Sequence, residues 1–172
     1  MTKLIIICGL PGTGKTTLAD ELSKKTGIFC LHKDSIKEVF YEGLNRSTLE
    51  DSKKLGNPSV KAILRLAEEN LIRGIDVILE SPFNFPDDEK IFKKWKDKYD
   101  LSIFTIILQL DEAERERRFT SRERHRSHHD KERIRNYREA PGDYQHMPEK
   151  KIFITTDKPV SELTEMILEL IS

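Results

Sequence analysis

The chain has 172 residues, and its 30 lysines and arginines balance 30 aspartates and glutamates, so the formal net charge is zero. That length suits a single domain with its own core, and the balance excludes a generally basic nucleic-acid coat or a polybasic membrane binder while leaving room for a local basic groove. Charged residues make up 35% and apolar residues 37%, the composition of a heavily charged chain that still folds.

Only two cysteines occur, Cys8 and Cys30, each inside an apolar stretch. They read as small buried hydrophobes in a reducing cytoplasm, since two thiols make neither a disulfide framework nor a zinc site. The longest apolar run, Leu4–Cys8, is far shorter than the ~18 residues of a membrane span, so no membrane partner is expected.

In chain order, Leu4–Cys8 is β-branched, apolar on both faces and stops at glycine, the pattern of a buried parallel strand. A helix is predicted from Gly14 to Thr26, with Lys24 and Lys25 in its last turn and Gly27 as C-cap. Ile28–Leu31 reads as a second strand. Ser35-Ile-Lys-Glu38 has the form of a capping box and predicts a helix starting there. Residues 42–57 are polar and read as a surface excursion. Asn57-Pro58 is expected to open a helix with Val60, Ile63, Leu64, Ala67 and Leu71 on one face, closed by Arg73-Gly74. Ile75–Leu79 is a third strand. Pro86 with the acids at 87–89 predicts a helix burying Ile91, Phe92 and Trp95. Ile103–Leu110 and Lys151–Thr155 are strands four and five, and Pro159–Ile171 is a closing amphipathic helix. Strands alternating with helices imply an α/β architecture of three layers, with ligands bound beyond the carboxyl ends of the strands.

Gly9-Leu10-Pro11-Gly12-Thr13-Gly14-Lys15-Thr16 fits G-x-x-x-x-G-K-[ST] between the first strand and the first helix. The glycines let successive backbone N–H groups point at phosphate oxygens, and the helix N-terminus adds its positive dipole end. Lys15 would reach the terminal phosphates, and the Thr16 hydroxyl would ligate Mg²⁺. The stretch predicts a nucleoside triphosphate site.

Three further constellations follow. Asp34, between the second strand and the next helix, is placed to orient an acceptor hydroxyl and take its proton. Lys37, one turn on, could hold a substrate anion or be solvated. Glu80 closes the third strand, where it could contact Mg²⁺ through water or bind substrate, and Phe83 could line the substrate pocket or belong to the core. Residues 115–126 carry six arginines against two glutamates. Pairing of Asp111 with Arg115 and Glu114 with Arg118 accounts for part of this charge. The rest predicts a mobile arginine lid over 112–139, with Arg118 and Arg122, four apart and flanking Phe119, supplying charge to a transferring phosphoryl group. His125, His128 and His129 read as lid surface.

These motifs together resemble the small P-loop kinases related to polynucleotide kinase, zeta toxin and chloramphenicol phosphotransferase. The resemblance rests on Gly9-Leu-Pro-Gly-Thr-Gly-Lys-Thr-Thr17, Asp34-x-x-Lys37, Glu80 and Arg118-x-x-x-Arg122, in the family's order over most of the chain. It implies ATP and Mg²⁺ as cofactors, held by the loop from Gly9 to Thr17. It further implies Asp34 as base, Arg118 and Arg122 on phosphates, the loop 156–159 with Asp157 near adenine, and a five-stranded sheet of order 2-3-1-4-5. Ser81-Pro82-Phe83 stands where shikimate kinases carry a glycine run, which disfavours shikimate. The expected activity is transfer of the γ-phosphoryl group of ATP to a hydroxyl of a small molecule or nucleotide. The alternatives are a 5′-hydroxyl nucleic-acid kinase and a nucleotide-binding switch. Oligomeric state is not written in the chain.

Overall fold

A computed structural model describes residues 1–83, 88–121, 125–128, 144–148 and 150–171. Five parallel strands, β1 (Thr2–Gly9), β2 (Phe29–His32), β3 (Val77–Glu80), β4 (Leu101–Gln109) and β5 (Lys151–Thr155), form one sheet in the order β2-β3-β1-β4-β5. The central strand pairs Leu4 with Val77 on one side and with Ile103 on the other.

The apolar run Leu4–Cys8 of β1 follows from burial on both faces. Leu4, Ile6 and Cys8 point into a core with Ile63, Ala67 and Leu71 of α3 (Leu49–Leu71) and Phe92 and Trp95 of α4 (Asp88–Lys98). Ile5 and Ile7 point the opposite way, onto Leu18 and Leu22 of α1 (Lys15–Thr26) and onto Leu163 and Ile167 of the final helix, Val160–Ile171, here α6. The period-2 alternation of a strand thus feeds two cores of equal apolarity. Cys8 is buried in the first of them, where burial pushes its thiol up to about 12, and both cysteines are free. No helix of the described residues is long and apolar enough to cross a membrane.

Two helix starts differ from the expectation. Helix α2 (Lys33–Gly43) begins directly on the last residue of β2, with His32 as an extended N-cap, so Ser35 lies inside the first turn and caps nothing. Helix α3 begins at Leu49, eight residues before Asn57, and Pro58 sits in its interior. Its start is a capping box of Thr48 and Asp51: the Asp51 N–H donates to Thr48 Oγ1 at 3.1 Å, and the Thr48 N–H returns a longer bond of 3.3 Å to Asp51 Oδ2. Residues 49–57 are therefore helix, not surface excursion. Buried Ser52 and Leu55 hold this first half against the rest of the fold.

Candidate functional site

Because every strand is parallel, all five release the chain at one edge of the sheet, at Gly9, His32, Glu80, Gln109 and Thr155. The loop leaving β1 turns back on itself. The Thr13 N–H and hydroxyl donate to the Leu10 carbonyl at 3.3 and 2.8 Å, and the Lys15 ammonium donates to the same oxygen at 3.0 Å. Gly9 has φ +142, and a Cβ there would stand 2.6 Å from the Leu108 carbonyl oxygen. Gly12 has φ +90, and its Cβ would meet the Arg115 carbonyl oxygen at 2.7 Å. Only glycine fits this cradle, and the backbone can come close to a ligand for the same reason. Gly14 ends the loop as the N-cap of α1 without a side-chain cap, the arrangement that leaves first-turn amides to an anion. Pro11 is half-buried, Lys15 is buried, and Thr16 and Thr17 are exposed in the first turn of α1. Backbone donors, an ammonium and an exposed hydroxyl make a donor set that fits a triphosphate with a hard cation.

Glu80 emerges one strand away and is 4% exposed. Its Oε2 accepts from His32 Nδ1 at 3.1 Å, and His32 Nε2 faces Asp20 Oδ1 at 3.1 Å, so an acid–imidazole–acid chain runs from α1 through β2 to β3. The Cys30 sulfur, followed by the Glu80 carboxylate, pushes His32 up to about 10. Asp34 lies in the first turn of α2 with Oδ1 on the Lys33 ammonium at 2.6 Å. Lys37 is neither solvated nor at an open face: it is 1% exposed and donates to buried Ser52 Oγ at 2.7 Å, bridging α2 and α3.

Phe83 belongs to the core and not to a pocket wall. Its ring meets Phe92 edge-on at 5.3 Å, and its carbonyl accepts from His146 Nε2 at 3.0 Å. Its backbone has φ +42, an unusual value for a bulky residue directly after the Glu80-Ser81-Pro82 turn.

The arginine-rich segment begins as α5 (Glu112–Ser121), started by Asp111, whose Oδ1 accepts from the Ala113 and Glu114 N–H groups at 3.0 and 3.2 Å. That use replaces the expected pairing with Arg115. Arg115 instead is 7% exposed and donates to the Pro11 carbonyl at 3.3 Å, and with Phe119 it forms the face that rests on Gly12. The sequence assigns Arg115 only to Asp111 and gives no place for it on the loop. Its only signal was the i, i+4 spacing to Phe119, the one large apolar side chain of α5. Arg118 does pair with Glu114, at 2.7 Å, and its Nη2 donates to the Thr156 carbonyl at 3.1 Å, next to exposed Asp157. Arg122 and His129 lie outside the described residues. His128 corrects the reading of the histidines as lid surface: it is 4% exposed, with Nε2 at 2.8 Å from Glu38 Oε1 and Nδ1 at 3.8 Å from Asp34 Oδ2. Glu38 and Asp34 could not be paired with it from spacing alone, since 90 residues separate it from Glu38 and more from Asp34. Among the described residues no group of three or more His, Cys, Asp or Glu is arranged to hold a metal.

Residues 4–141 match the family model of an AAA domain. No curated protein matches the chain. Among solved structures, a candidate kinase from Chloroflexus aurantiacus is 22% identical with a TM-score of 0.81, covering 98% of this chain and 97% of that one. The Mycobacterium tuberculosis APS kinase, in complex with AMPPNP and APS, is 16% identical with a TM-score of 0.63 over 98% and 96%. A gluconokinase from Sinorhizobium meliloti is 13% identical with a TM-score of 0.65 over 98% and 91%. At these identities the likeness is one of fold, and the sheet order is the one the resemblance to P-loop kinases implied.

Proposed function

The chain belongs to the AAA domain family matched over residues 4–141, and on that premise we propose that it is an ATP-dependent phosphotransferase acting on a hydroxyl of a small molecule or nucleotide. The observation that carries this reading is the glycine cradle of residues 9–14, with Lys15 beside it and Asp34 in the first turn after β2, two strands over at the same edge of the sheet. The kinases among the solved structures of the same fold support the same class.

In this reading the backbone of Gly9–Thr13, Lys15, Thr16 and Thr17 binds the triphosphate, and Arg118 with Asp157 lies at the base end. Asp34 orients the acceptor and takes its proton as the new O–P bond forms and the bond to the ADP leaving group breaks. Lys15 and Arg122 offset the charge spread over the transferring group. Thr16, with Glu80 through water, would hold Mg²⁺, which supplies charge neutralisation at the phosphates. Lys37 holds α2 to α3, and through that contact it fixes the helix that carries Asp34. A cytoplasmic setting suits the free thiols of Cys8 and Cys30.

The test is a screen of ATP consumption against nucleosides, sugars, antibiotics and oligonucleotides, paired with calorimetry of Mg·ATP binding. One class of hydroxyl compound should stimulate consumption and yield a phosphorylated product. Lys15→Ala should abolish it. Asp34→Asn should slow it by about 10²–10⁴-fold while ATP affinity is kept. A flat titration with Mg·ATP, or unchanged turnover in Lys15→Ala, overturns the reading. Normal ATP binding with an Asp34→Asn variant that matches wild type would instead favour a nucleotide-binding switch.

A further inference from the structure

The short 3-10 turn Arg126–His128 comes from the basic segment, yet Arg126 and His128, with His125 just before them, reach α2. Asp34, Glu38 and Glu42 recur every four residues and share one face of that helix. His125 Nε2 is 3.0 Å from Glu42 Oε1, its ring meets Tyr41 edge-on at 6.4 Å, and the Arg126 guanidinium lies 5.9 Å above the Tyr41 ring. His128 completes the row on Glu38 and Asp34. The turn is itself built for this seat: the Ser127 N–H donates to His125 Nδ1 at 3.2 Å, which leaves His125 Nε2–H to donate to Glu42. Three successive contacts in register on one helix face specify a docking arrangement.

We propose that His128 is a positioning residue for Asp34, its imidazole anchored by Glu38 through Nε2 and presenting Nδ1 to Asp34 Oδ2. The proposal rests on the reading of Asp34 as the group that faces the acceptor hydroxyl. A carboxylate that must offer one lone pair in plane has a soft terminal torsion, and here both of its oxygens are flanked. Lys33 holds Oδ1 at 2.6 Å, and the buried imidazole stands at ion-pair distance from Oδ2. Glu38 fixes the ring so that Nδ1 faces Asp34, and since both carboxylates can only accept, positioning requires a proton on each ring nitrogen, Nε2–H donated to Glu38 and Nδ1–H turned toward Asp34. Because the ring belongs to the turn at 125–128, seating that turn on α2 and setting the carboxylate are one event. A misplacement of an ångström at such a group costs up to about 10²-fold in rate.

The test compares three variants with Asp34→Asn, using [γ-³²P]ATP·Mg with water as acceptor and with the hydroxyl compound that the screen returns. His128→Ala should lower kcat by about 10–100-fold with the KM for ATP unchanged. His128→Asn keeps a nitrogen at the Nδ1 depth and should recover most of the rate. His128→Gln keeps only the reach to Glu38; it should regain thermal stability and stay slow. A second readout needs no turnover: in ¹⁵N-labelled full-length protein, Asp34→Asn should move the His128 Nδ1 resonance and leave Nε2 in place. Wild-type kcat in His128→Ala, recovery by Gln but not Asn, or ring resonances unmoved by Asp34→Asn would each overturn the proposal. Failure of the underlying reading looks different, because then Asp34→Asn itself transfers at the wild-type rate.

Discussion

Gly12 and Gly14 share a left-handed backbone, φ +90 and +89, and differ in what surrounds them. A Cβ on Gly14 meets nothing within 4 Å, whereas one on Gly12 meets backbone and side chain of Arg115. The first substitution therefore reads conformational strain alone, about 1–2 kcal/mol, and the second adds a clash with α5 of about 1–3 kcal/mol. In thermal unfolding without nucleotide, Gly14→Ala should lower Tm by about 3–6 °C and Gly12→Ala by roughly twice that. Equal losses would mean that α5 does not rest on the loop. The same pair of residues explains what could be read beforehand. The phosphate loop is legible because its glycine spacing is its geometry, and eight consecutive residues carry all of it. Arg115 and His128 were not legible, because each acquires its role from a contact 90 or more residues away. Phe83 was ambiguous for a related reason, since an aromatic after a strand looks the same whether it lines a cleft or, as here, packs on Phe92.

At the scale of elements, strands were legible to within a residue or two, since a both-faces-buried strand is a plain apolar run. Helix α3 was not, because Gly56-Asn57-Pro58 is strong punctuation placed inside it. Tertiary packing overrides that local signal: Ser52, Leu55, Ser59 and Ile63 are all buried, and the Ser59 hydroxyl donates to the Leu55 carbonyl at 2.7 Å one turn back. The overlooked sign of its start was Thr48-x-x-Asp51. If residues 49–57 are helix held against propensity, relieving the propensity should stabilise. A Cβ on Gly56 meets nothing within 4 Å, and its backbone is not left-handed. Gly56→Ala should therefore raise stability by about 0.5–1 kcal/mol in urea unfolding, and Thr48→Ala should lower it by about 1 kcal/mol. A destabilised Gly56→Ala would place this stretch outside the helix.

Across the whole molecule, the parallel sheet gathers residues from Gly9 to Asp157 at one edge, and the cost of that arrangement is polar groups held in or beside the core. The chain Asp20–His32–Glu80 is the clearest, since Glu80 is almost fully buried at the end of β3, between β2 and β1. His32 is raised from its ordinary 6.5 to about 10, by the Cys30 sulfur first and Glu80 second. A group raised in the folded state binds more protons there than in the unfolded chain, so stability falls as pH rises through the interval between the two values. The contribution of His32 is full below about 6.5 and gone above about 10. Urea midpoints measured with EDTA should therefore decline from pH 6.5 to 10 in wild type. In His32→Asn the amide keeps a nitrogen at the Nδ1 depth facing Glu80 but cannot titrate, so its decline over the same interval should be shallower. The difference between the two curves isolates His32 from lysines and tyrosines that titrate in both proteins. Parallel curves would mean that His32 is neutral in the fold and that Glu80 draws its support from elsewhere, which would also remove the ion pair from beneath the strand edge that carries it.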